Sequence, residues 1–192
     1  MGKQKWCVLA IVLSSAVAAA APPKGAYRVV KWVDADGTIT TPEDMLKKVD
    51  MRGEIVITFD GDRVSAGTWT VTKDTDDKKA DVLYVGSCRG QATGPVKWSG
   101  DTFKLDAPIE FKAYVDEYVY TTTKKGKGKD HKADMYKHTL SCGYKLEEPS
   151  YKVSGSGDKL TLTTSKGQIM LEKTKPIADV DTEPMADKLW NE

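Results

Sequence analysis

Residues 54–60 read EIVITFD, and the chain runs on through Gly61-Asp62 into RVSAGTW at 63–69. Ile55, Ile57 and Phe59 share one face of an extended chain. In IEFKAYVD at 109–116, Ile109, Phe111, Ala113 and Val115 alternate with Glu110, Lys112, Tyr114 and Asp116. Side chains on a strand point to opposite faces in turn, so this period of two marks strands with one buried and one wet side. Similar runs fall at 26–33, 63–73, 81–89, 95–98, 102–106, 134–147, 158–165 and 167–173. They are separated by FDGDR, WSGDT, GSGDK and TSKGQ, where glycine and aspartate supply turn backbone. A chain of short strands without crossover helices must hide its sheet edges, either by closing on itself or by stacking as a sandwich. The expected fold class is all-β, a mostly antiparallel up-and-down barrel of about 8–10 strands with one short helix after the first strand.

The helix follows DADGTITTPED at 34–44. Thr41 is placed to cap it, Pro42 fits its first position, Glu43 and Asp44 favour its first turn and Lys47 and Lys48 its end. The same stretch imitates the later part of an EF-hand loop. Gly37 would take the turn position, with Asp34, Asp36, Thr38, Thr40 and Glu43 at ligand positions. The first ligand position is Trp32, however, and AYRVVKWV before it is β-rich rather than helical. A strand–turn–helix corner therefore accounts for the segment, and no metal site is expected.

Lys3 and Lys5 precede the apolar run WCVLAIVL, which passes into SSAVAAAA, the three-part pattern of a signal peptide over 1–20. The apolar part is too short for a membrane anchor, so an exported protein is expected, periplasmic or extracellular, without stable membrane insertion. The 29 basic residues less Lys3 and Lys5, against 28 acidic, leave a balance of about −1. That gives no general attraction to nucleic acid. The basic loop 124–132 (KKGKGKDHK) has no aromatic residue to stack on bases and reads as a solvated hairpin tip. Residues 176–192 form an acidic C-terminal tail expected to lie loosely on the barrel or on that loop, pinned by Trp190. Two cysteines remain after the leader, Cys88 and Cys142. Each shares a face with the apolar residues of its strand, and in an oxidising compartment an isolated pair predicts one disulfide.

GAYRVVKWVDADGTIT at 25–40, followed by ITFDGDRVSAGTW at 57–69, resembles the bacterial lipocalin-like domains of the calycin group. Those begin with Gly-x-Trp, and Tyr27 stands here where the tryptophan is expected. DKLTLTTSKGQIMLEK at 158–173 resembles the closing hairpin of such barrels, with Lys173 or Lys175 as the basic residue over the closed end. The resemblance covers most of 25–175 and implies a lipocalin-like β-barrel domain there.

Catalytic patterns are not found: His131 and His138 lack metal-ligand spacing, and there is no GxSxG elbow, phosphate loop or CxxC. His138 and Cys142 on one strand face would be about 13 Å apart, too far for direct proton transfer. No enzyme activity and no cofactor are expected. Two functions fit. One is a binder of a small apolar or amphipathic molecule in the barrel interior, lined by Phe59, Trp69, Tyr84, Phe111, His138 and Tyr144. The other is a structural or protein-interaction component of the cell envelope whose barrel is filled by its own side chains.

Overall fold

The computed structural model describes residues 21–47, 51–75, 82–121 and 137–181. Residues 1–20, expected to be a signal peptide, the basic loop 124–132 and residues 182–192 with Trp190 lie outside the described residues. The strands are β1 (Gly25–Asp34), β2 (Ile39–Thr40), β3 (Met51–Asp60), β4 (Arg63–Thr75), β5 (Val82–Ser99), β6 (Thr102–Leu105), β7 (Ile109–Thr121), β8 (Lys137–Leu146), β9 (Ser150–Ser156), β10 (Lys159–Thr164) and β11 (Gly167–Thr174). The helix α1 (Pro42–Lys47) follows β2.

Eight strands close into an antiparallel barrel in the order β1-β3-β4-β5-β6-β9-β10-β11 and back to β1. Apart from the insertion of β2 between β1 and β3 and of β7 and β8 between β6 and β9, each strand of the ring neighbours the next along the chain. Every pairing is antiparallel, as an up-and-down barrel requires. Gly61-Asp62 forms the two-residue turn between β3 and β4, with Gly61 at φ 61°. The positive φ is what lets so short a turn match the twist of the flanking strands. Gly-Asp recurs in the same role between β5 and β6 and between β9 and β10.

The corner after β1 is built as its residues suggest. Asp36 Oδ1 accepts the Thr38 backbone N–H at 2.8 Å. Thr41 Oγ1 accepts the Asp44 N–H at 3.0 Å, and its own hydroxyl donates to the Asp44 carboxylate at 2.6 Å. Asp36 and Asp44 are thus used as turn and cap groups.

Aromatic side chains occupy the barrel axis. Phe103 stacks on Tyr151 with centroids 4.9 Å apart and planes 14° apart, and meets Phe59 edge-on at 6.0 Å. Tyr27 meets Phe59 at 5.9 Å, while Trp98 tilts against Phe103 at 5.3 Å. Val29, Ile57, Val96, Leu162 and Leu171 complete this core.

The hairpin β7-β8 packs on the core-facing side of β5. Ile109 and Leu146 enter the same core, and Cys88 of β5 is bonded to Cys142 of β8. Glycines on β5 make the close approach possible. A Cβ at Gly90 would lie 2.5 Å from the Phe111 ring, and one at Gly94 would lie 2.7 Å from Ile109. Gly90 and Gly94 belong to a single long strand, where the sequence suggested two, at 81–89 and 95–98. The glycines there admit the hairpin rather than break the strand. Strand β9 was not expected at all: its alternation rests on only Tyr151 and Val153.

The outer side of the wall is covered too. Residues 176–181 cross it through a 3-10 turn at Ile177–Asp179. Ile177 packs on Ala26 and Val56, and Val180 on Trp69 and Val71. Arg89 Nη1 donates to the Val180 carbonyl at 2.6 Å. This part of the tail is therefore a packed strap.

Candidate functional site

A recess of about 210 Å3 opens at one end of the barrel, where β1 and β11 run past the ring toward the β8-β9 connection. A β-bulge in β1 shapes it. Val29 pairs with Leu171 but Lys31 pairs with Met170, so Val30 is an extra residue. The insertion shifts the alternation: Tyr27 and Val29 face the core before the bulge, and Trp32 packs against it afterwards. Trp32 and its partner Ile169, with Tyr151 behind them, give the recess an apolar floor.

Tyr144 of β8 tilts against Trp32 with ring centroids 6.5 Å apart. Burial pushes its phenol up to about 12, and a hydrogen bond with the Trp32 side chain offsets part of that rise.

Charged side chains form the far wall. Lys166 Nζ reaches Glu148 at 2.7 Å and Glu147 at 3.3 Å, and Lys145 Nζ reaches Glu147 at 3.2 Å. Glu148 also accepts the Ser165 hydroxyl at 3.1 Å, and its backbone N–H donates to the Tyr151 hydroxyl at 3.0 Å. Hydrogen bonds from Lys145 hold the Glu147 carboxyl below its ordinary value, and those from Lys166 do the same for Glu148. Asp34 closes the near side. It is exposed and, among the described residues, forms no ion pair.

Of the residues expected to line an interior ligand site, Phe111 and Tyr144 border a shared recess of about 400 Å3 on the β7-β8 hairpin, while the other two with described side chains, Phe59 and Trp69, lie elsewhere. Phe59 is 1% exposed in the centre of the aromatic core. Trp69 does not face the interior, and this corrects the expectation. It lies on the outer face of β4 beneath Val180, its buried indole N–H without a hydrogen-bond partner among the described residues. The cause is that both faces of β4 are covered: residues 64–71 are buried without interruption, so alternation could not distinguish inside from outside. Phe111 lies over Gly90 on the hairpin, and Tyr144 lies beside the recess. Tyr84 pairs with Asp74 and Val119, and His138 with Glu117. The side chains of Tyr84 and His138 lie outside the described residues.

The structure places Trp32, Tyr151 and Ile169 at the recess, none of them among the expected lining residues. The signal for Trp32 was hidden by the bulge, since strict alternation from Tyr27 turns it outward. The chain matches no protein-family model, and neither curated proteins nor solved structures offer a match.

Proposed function

We propose that this chain is an exported, non-catalytic barrel protein that acts through its surfaces, as an interaction or structural component of the cell envelope. The observation carrying this reading is the packing along the axis. Phe59, Phe103 and Tyr151 are each 2% exposed or less, and Phe103 packs on both of the others inside the barrel. A small apolar guest in that space would have to displace rings whose burial stabilises the fold by about 1.5–3 kcal/mol each. The Cys88–Cys142 bond supports an oxidising compartment. The closed eight-stranded order supports a lipocalin-like architecture, with calycin membership as part of the proposal. The alternative of interior carriage makes an opposite prediction for an environment-sensitive lipophilic dye titrated into the folded protein. A filled barrel should give weak, non-saturating fluorescence, whereas saturation at one dye per chain would favour carriage.

A further inference from the structure

The recess at the barrel end has features that bear on a ligand independently of the filled axis. At roughly 30 Å3 per water, its volume of about 210 Å3 corresponds to about seven non-hydrogen atoms. That is smaller than a drug-sized pocket. Its apolar floor includes the half-buried indole of Trp32. Asp34 follows two residues later on the same strand, so the two side chains leave one face about 7 Å apart. Opposite Asp34, on β11, stands Gly167, whose backbone lies tight against β1. A Cβ there would collide with the Val33 carbonyl.

The charge of the lining is the second feature. Lys145 and Lys166 face the recess, but both are committed to Glu147 and Glu148. Three carboxylates, Asp34, Glu147 and Glu148, against these two ammonium groups leave one net negative charge, and Asp34 is the carboxylate that the lysines do not neutralise. An aromatic face next to an uncompensated carboxylate is the arrangement that attracts an organic cation, through the ring quadrupole on one side and the opposite charge on the other. A neutral molecule of the same shape would gain only the apolar contact.

We propose that the Trp32–Asp34 recess binds a small monovalent organic cation, of the ammonium class, with Trp32 and Ile169 under its methyl or methylene groups and Asp34 facing its charge.

The test uses the folded protein with its disulfide intact and choline chloride as probe, followed by calorimetry at low ionic strength. The comparison ligand is 3,3-dimethylbutanol, which has the same shape without the charge. Choline should bind saturably at one per chain and at least tenfold more tightly than the neutral isostere. Asp34→Asn, at an exposed position, should weaken choline at least tenfold while leaving the circular dichroism spectrum unchanged. Absence of saturable choline binding up to roughly 10 mM would overturn the proposal, as would equal binding of the isostere. If Asp34→Asn does not fold, the isostere comparison on the unaltered protein still decides.

Discussion

Phe59 and Trp69 stand on neighbouring strands of the same wall, and each ring is buried, yet one fills the barrel and the other lies under the strap outside it. Their burial has different causes, one the closure of the sheet and the other the return of the chain across its back. Tyr144 adds a titratable marker. Because burial favours its neutral phenol, its pKa in the folded chain is raised to about 12, while in the unfolded chain it titrates near the usual value of about 10. The stability this provides is fully present below about pH 10 and is lost as pH rises through about 12, because only the unfolded state ionises in that window. Burial raises the Tyr151 phenol as well, so ultraviolet titration of phenolate absorbance should show a late component that loses one tyrosine in Tyr144→Phe. If the Tyr144→Phe curve overlaid that of the unaltered protein, Tyr144 would not be a late group.

At the scale of elements, two devices hold parts of the chain to the barrel. The disulfide ties the inserted hairpin to β5 across a sequence separation of 54 residues. In the chain-entropy account such a link restrains the unfolded state by about 4 kcal/mol. The strap relies on packing. Ile177 is 3% exposed against Ala26 and Val56, so Ile177→Ala should cost about 2–4 kcal/mol in urea unfolding. Lys175→Ala, on the exposed approach to the strap, should stay within about 0.5 kcal/mol of the parent. Equal midpoints for the two variants would mean that the strap contributes nothing to global stability.

For the whole molecule, acid is the relevant stress. Glu147, Glu148 and Glu172 are held below the ordinary carboxylate value, first by hydrogen bonds from Lys145, Lys166 and Arg28 respectively. Carboxylates depressed in the folded state contribute stability that is present above their unfolded pKa of about 4.3 and is lost as pH falls through the folded values. Glu147 is exposed and Glu148 and Glu172 are half-buried at the surface, so salt screens their contribution, that of Glu147 most. The melting temperature should fall on acidification below about pH 4.5, and the fall should be shallower for a Glu147→Gln/Glu148→Gln variant. An unchanged acid slope in that variant would show that the cluster at the recess has no part in it.

Period-two alternation, Gly-Asp turns and the lack of crossover helices made an all-β barrel with one short helix legible from the sequence, because strand faces and tight turns are encoded locally. Cys88 and Cys142 were legible as a pair for the same reason, each lying on the apolar face of its strand. Other features depend on residues far apart in the chain. The bulge at Val30 reversed the face of Trp32, the strap made both sides of β4 apolar, and the glycines of β5 proved to be a seat for Phe111 and Ile109. Local patterning determined most of the strand segments, though neither β9 nor the continuity of β5 across Gly90 and Gly94. Tertiary structure decided which side is inside for β1 beyond its bulge and for β4, because burial is set by what crosses over a face, and a single inserted residue or a returning tail changes that without altering the strand's own propensity.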